Sequence, residues 1–222
     1  MILLETNKIY NQDCLDFMKN LPDNYFDLVI TDPPYGIGGN VVKFGDNKLY
    51  NNKIEWDKNP PSDEVFKEIL RVSKNQIIFG GNYFPILWSK PIRGFIFWDK
   101  IQVNDSFADG ELAWTSFDRN ARMFKYCYSG NRFGEPDRIR GVGQKSNRKH
   151  PTQKPVPLGR WLLQNYANKG DKIFDPFAGS GSFLVACKQL GYNFIGCDKE
   201  QKYVDIANDR LKQQTLVGVL ND

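Results

Sequence analysis

Lys172-Ile173-Phe174-Asp175-Pro176-Phe177-Ala178-Gly179-Ser180-Gly181-Ser182, followed shortly by Asn193-Phe194-Ile195-Gly196-Cys197-Asp198, decides the fold. Each segment opens as a short β-rich run that reaches an acid, and Phe183 to Leu190 between them has a helical pattern. Strand, glycine turn, helix and strand make a βαβ unit of a parallel sheet. Asp198 follows Asp175 by 23 residues, the interval at which a nucleotide-binding unit sets a carboxylate on ribose hydroxyls. A dinucleotide fingerprint would need a third glycine at position 184, which is Leu184, so pyrophosphate binding is disfavoured. A lone Gly-x-Gly is often an ordinary strand-to-helix turn. Asp175 and Asp198 on successive strand ends argue for a ligand instead.

A ligand with a ribose, an adenine and a zwitterionic amino-acid tail fits these groups: S-adenosylmethionine. Asp198 is then the ribose ligand, Asp175 meets the ammonium group, and Gly179 and Gly181 let the backbone approach the methionyl end.

Outward from this unit, apolar runs at Asp27 to Thr31, Gln76 to Phe79 and Gly94 to Trp98 are further candidate strands. Ser62 is a plausible N-cap for a helix with Val65, Phe66, Ile69, Leu70 and Val72 on one apolar face. Pro157 and Gly170 bracket another helix, buried through Trp161, Leu162, Leu163 and Tyr166, and Gln201 to Gln213 forms a last one. Between Gln102 and Asn147 short aromatic runs are broken by Gly, Asn, Arg and Asp; part reads as an antiparallel hairpin at the sheet edge, and Ser129 to Lys149 as a loop or lid. Asn40 to Pro61 is a second polar insertion.

The 222 residues, 41% hydrophobic and 25% charged, suit one α/β domain. No leader opens the chain and no apolar run approaches the ~20 residues of a membrane helix, so a soluble, cytoplasmic protein without membrane partners is expected. Cys14, Cys127, Cys187 and Cys197 form no Cys-x-x-Cys pair and His150 is the single histidine, which indicates neither a metal site nor a disulfide frame. Charge is unevenly spread. Arg119 to Lys154 holds ten basic residues against two acidic ones, a net of +8, which leaves −4 for the remainder. That suits a polyanion, although charge runs are also found in plain solvated loops.

Asp32-Pro33-Pro34-Tyr35 closes the strand ending at Thr31. The chemistry it suits is attack by a weak nucleophile, the amino nitrogen of adenine or cytosine, whose lone pair is delocalised into the ring. The Asp32 carboxylate takes one amino hydrogen and the Pro33 carbonyl the other, drawing the nitrogen towards tetrahedral geometry. The rings of Pro33 and Pro34 fix φ and keep the carbonyl aimed. Tyr35 stacks on the base. A target in a duplex must leave the stack, at a few kcal/mol. Phosphate contacts from Arg119, Arg122, Arg132, Arg138, Arg140, Lys145, Arg148 and Lys149 offset that cost. The bland alternative is a rigid turn with a packed tyrosine.

At these residues the chain resembles the amino-directed DNA methyltransferases of the permuted β group, in which the Asp-Pro-Pro-Tyr segment precedes the cofactor-binding glycine cluster. His150-Pro151-Thr152-Gln153-Lys154-Pro155 matches a third signature, and the similarity runs from Asn7 to about Gln214. The resemblance implies a Rossmann-like fold with a mostly parallel, seven-stranded sheet and one antiparallel strand, and a residue 100–149 insertion that contacts DNA. It implies cofactor contacts from Asp13 and Cys14 to the adenine, from Thr152 and Lys154 near the carboxylate, from Phe177, and from the Asp32 and Pro176-Ala178-Ser180 positions around them. It also suggests a homodimer, a bacterial or phage source, and adenine as the target, since the tetrapeptide begins with an acid and many cytosine modifiers begin theirs with serine. Cytosine N4, RNA, a glutamine amide and a silent DNA-binding subunit are the competing readings. The short recognition region implies relaxed sequence preference.

Overall fold

The computed structural model of the protein describes residues 4–37, 59–101, 108–129, 132–134, 136 and 153–219. In chain order the elements are β1 (Lys8–Asn11), α1 (Cys14–Lys19), β2 (Phe26–Thr31), α2 (Asp63–Val72), β3 (Ser73–Phe79), β4 (Phe95–Asp99), β5 (Gly110–Thr115) and β6 (Arg122–Lys125). There follow β7 (Cys127–Ser129), β8 (Arg132–Gly134), α3 (Val156–Tyr166), β9 (Lys172–Asp175), α4 (Ser182–Leu190), β10 (Asn193–Asp198) and α5 (Gln201–Val219).

The central strands are apolar at nearly every position, with Phe26, Leu28, Val29, Ile30, Ile173 and Phe174 all buried. Burial on both faces of a parallel sheet demands such runs, and each fully buried Leu, Ile or Phe contributes about 1.5–3 kcal/mol. Alternation sorts these side chains into two layers. Leu28, Ile30, Ile77, Phe79 and Ile173 pack with α3, α4 and α5, whereas Val29, Ile78, Phe174 and Ile195 pack with α1 and α2.

Among the described residues the main sheet runs β1, β10, β9, β2, β3, β5, β4, β6, with β7 and β8 as a separate hairpin. Within the main sheet, among the described residues, only β5 runs against its neighbours. The mostly parallel sheet with one antiparallel strand agrees with the expectation, although eight strands are present rather than seven, the outermost being β6 beside β4. From β9 the chain steps outward through α4 to β10; from β2 it steps the other way through α2 to β3. The pairing of β2 with β9, Leu28 opposite Ile173 and Val29 opposite Phe174, is therefore a topological switch point, where a crevice opens beyond the carboxyl ends of the strands.

Several expectations are refined. Leu70 is 38% exposed, on the flank of α2 rather than in its buried face. The aromatic run at Met123 to Lys125, within the stretch from Gln102 to Asn147, falls in the parallel strand β6, and the antiparallel hairpin is β4 with β5. Strands β5 and β6 thus belong to the main sheet instead of an insertion. Asn40 to residue 58 of the polar insertion, and most of the expected lid, lie outside the described residues. All four cysteines are buried and unpaired.

Candidate active site

Asp32 leaves the end of β2 and Asp175 ends β9, so the switch point sets the two clusters side by side. The buried Thr31 hydroxyl donates to Asp175 Oδ1 at 2.7 Å and ties the strand ends together. A cleft of about 290 Å³ opens there, lined by Asp32 and Pro34 on one side and by Asp175 to Ser180 and Asp198 on the other. Asp13, Cys14 and Lys154 also line it.

On the glycine-turn side, Asp198 accepts from the Gly179 N–H and the Glu200 N–H, both at 2.9 Å. Asp13 caps α1 through the Leu15 N–H at 2.8 Å, and burial pushes the Cys14 thiol up to about 12, so it stays protonated. Burial likewise pushes the Asp175 carboxyl up to about 7, against the opposing hydrogen bonds from Thr31 and the Phe177 N–H. Gly179 has φ +50, and a Cβ there would meet only the Phe177 carbonyl at 3.9 Å, which leaves open room beside the turn. Gly181 differs from its expected role. It has φ +73 and starts α4, but a Cβ there would stand 2.8 Å from Ala207 Cβ, so it serves packing against α5 rather than approach to a ligand. Ser180 is buried, and its carbonyl accepts from the Arg210 guanidinium, which pins the turn. The cleft, its paired carboxylates and the open turn fit a nucleoside with an amino-acid tail.

On the other side stands a network that sequence reading missed. Lys154, buried at 6% exposure, donates to Asp32 Oδ2 at 2.5 Å and sits 2.8 Å from Glu111 Oε2. Lys100 pairs with Glu111 at 2.6 Å. The Tyr35 hydroxyl donates to Asp32 Oδ1 at 2.6 Å and lies 3.4 Å from Glu111 Oε2. Burial raises the Asp32 carboxyl despite Lys154, whereas at Glu111 the two lysines outweigh burial and hold the carboxyl down to about 2. Environments that push two neighbouring acids apart in this way are a mark of functional sites. No local signal reveals Glu111. It reaches the site because β5 pairs with β3 with Ala113 opposite Phe79, and the Leu112 carbonyl accepts from Gly80 N–H at 2.9 Å.

Two placements depart from the sequence reading. Lys154 is bonded to Asp32, not held apart for a cofactor carboxylate. Tyr35 is stacked on Tyr83, ring centroids 4.9 Å apart at 16°, because Gly80 lets its ring pack close to the backbone on the way. Pro33 is buried at the turn. Arg119 and Arg122 correct the reading more sharply: the turn after β5 carries them back to the amino edge of the sheet, away from the cleft. There the Arg119 guanidinium donates to the Asn165 carbonyl at 2.6 Å and lies over the Phe117 and Tyr166 rings. Thr152, Arg138, Arg140, Lys145, Arg148, Lys149 and the side chain of Arg132 lie outside the described residues.

Residues 114–209 match the family model for N6/N4 DNA methylases. The Type II methyltransferase M2.MboI of Moraxella bovis is 26% identical over 94% of this chain and 89% of its own length. M.HpaI of Haemophilus parainfluenzae is 29% identical over 89% of this chain and 71% of its own. Among solved structures, the M1.HpyAVI–SAM complex superposes with a TM-score of 0.56 at 26% identity, covering 92% of this chain and 99% of that one. The curated and structural matches span both clusters, on a sheet whose switch point joins them, and make the chain similar along nearly its whole length to amino-directed N6/N4 DNA methyltransferases that use S-adenosylmethionine.

Proposed function

We propose that the protein methylates the exocyclic N6 amino group of adenine in double-stranded DNA, with the target base turned out of the helix into the cleft. The observation that carries this reading is the shared cleft: Asp32 and Asp175 stand on neighbouring strand ends joined through Thr31. S-adenosylmethionine supplies an electrophilic methyl carried on a sulfonium. Asp13, Cys14, Asp175, Phe177, Gly179 and Asp198 are assigned to its binding, with Asp198 on the ribose and Asp175 on the ammonium. Asp32 and the Pro33 carbonyl accept the two amino hydrogens of the target, so the nitrogen lone pair is freed for attack. No base needs to act first, because the proton is lost after the nitrogen has become cationic. Tyr35 and Tyr83 offer aromatic faces beside the base.

Adenine is preferred over cytosine because the tetrapeptide opens with the acid Asp32. The basic residues Arg132, Arg138, Arg140, Lys145, Arg148 and Lys149 are assigned to phosphate contacts, which confines the DNA-contacting part of residues 100–149 to its later half. Incubation with unmethylated DNA and methyl-labelled cofactor, then digestion to nucleosides and mass analysis, tests the base. The label is expected in N6-methyladenine, and label in N4-methylcytosine would overturn the choice.

The assignment of Asp175 has a consequence for pH. Its carboxyl, raised to about 7 in the free protein, must be ionised to pair with an ammonium group. Binding therefore expels a proton, and cofactor affinity should weaken about tenfold for each pH unit below about 7. Calorimetric titration across that range should show the slope, and Asp175→Asn should flatten it. An equal slope in the variant would remove Asp175 from the ammonium site.

A further inference from the structure

In the structure both oxygens of Asp32 are engaged, Oδ1 by the Tyr35 hydroxyl and Oδ2 by Lys154. Each oxygen keeps a second lone pair, but the Lys154 charge and the two donated hydrogen bonds draw electron density from the carboxylate, so Asp32 accepts the target's amino hydrogen more strongly once they withdraw. Both donors have the same alternative. Glu111 Oε2 lies 2.8 Å from Lys154 Nζ and 3.4 Å from the Tyr35 hydroxyl. Glu111 is itself anchored from behind by Lys100 at 2.6 Å, and its side chain is 22% exposed. The four charged groups form two neutral pairs, so a shift of Lys154 towards Glu111 moves no net charge into or out of the site.

We propose that Glu111 is a positioning residue, which takes over Lys154 and the Tyr35 hydroxyl when the target amino group docks and thereby strengthens Asp32 as the acceptor of its hydrogen. The inference rests on the reading of Asp32 as the acceptor. No covalent bond changes; hydrogen bonds are exchanged, and Lys154 stays charged throughout. Without the Glu111 charge, Lys154 has one carboxylate left and holds it more tightly. Cofactor binding, built from β9, β10 and the glycine turn, is untouched.

The test compares wild type with Glu111→Gln, Glu111→Asp and Asp32→Ala, measuring single-turnover methyl transfer to unmethylated DNA and, separately, S-adenosylmethionine affinity by calorimetry. Glu111→Gln should slow transfer about 10- to 100-fold, the scale of one hydrogen bond to a charged group, with cofactor affinity changed less than about twofold. Glu111→Asp keeps the charge with a shorter reach and should recover part of the rate. A Glu111→Gln rate equal to wild type, with Asp32→Ala inactive, overturns this inference and leaves the Asp32 reading standing. Transfer by Asp32→Ala at the wild-type rate overturns both. Should Glu111→Gln lose cofactor affinity along with rate, Glu111→Asp decides: wild-type affinity with an intermediate rate supports the positioning role, and a parallel loss of affinity assigns Glu111 to the fold and overturns it.

Discussion

Asp32→Ala should abolish methyl transfer, with a fall of about 10³-fold or more in the single-turnover rate and almost no change in affinity for S-adenosylmethionine. The first half follows from the acceptor role. An amino nitrogen conjugated to a purine gains its lone pair only when its hydrogens are held out of the ring plane, and Asp32 is the charged acceptor available at the end of β2. The second half follows from position. Asp32 stands across the cleft from Asp198 and the glycine turn, whose hydrogen bonds are made with one another rather than with Asp32. The variant should fold. Removing one partner of a buried ion pair usually costs 3–5 kcal/mol, but Lys154 keeps a second carboxylate, Glu111 at 2.8 Å. Rapid-quench transfer assays and calorimetry on the same preparation give both quantities, and transfer at the wild-type rate would refute the role.

Asp198→Ala should do the reverse, weakening cofactor affinity about 100-fold while leaving the turnover of saturated enzyme within a few-fold of wild type. Two effects add. The ribose loses a charged acceptor, worth about 1.5–3 kcal/mol. The turn also loses its clamp, because Asp198 Oδ2 now holds the Gly179 N–H and Oδ1 the Glu200 N–H at the start of α5. Asp198→Asn, which keeps an acceptor oxygen but no charge, should fall between the two. An unaltered dissociation constant in Asp198→Ala would remove it from the ribose site.

How much of this was legible in the sequence depends on whether the determining signal was local. The strands at Asp27 to Thr31, Lys172 to Phe174 and Asn193 to Cys197 are apolar runs ended by acids, and the structure extends each by a residue or so to include the acid or the preceding aromatic. The β1 strand was not legible because it is an edge strand in which only Ile9 is buried, so Lys8-Ile9-Tyr10-Asn11 carries no run. Helix α1 has six residues and depends on its Asp13 cap and on Phe17 and Met18 reaching the core, too short for a periodic pattern. The Asp32 and Asp175 clusters were readable because each is contiguous in sequence. Glu111 and Lys100 were not, since their place at the site comes from the pairing of β5 between β3 and β4, a long-range fact. The same pairing explains the misplacement of Arg119 and Arg122. Counting charge along the chain cannot tell which edge of the sheet a turn lies on, and an antiparallel strand sends it to the opposite one.

The central claim is that one cleft at the β2 and β9 switch point holds the methyl donor and the target amino group together, with Asp32 gripping the latter. A crystal structure of the protein with S-adenosylhomocysteine and a duplex carrying its mapped methylation site tests that most directly. The amino nitrogen of the flipped adenine should lie about 3 Å from both Asp32 and the Pro33 carbonyl, with Lys154 drawn to Glu111. An amino group resting elsewhere, with Lys154 still on Asp32, would contradict the account.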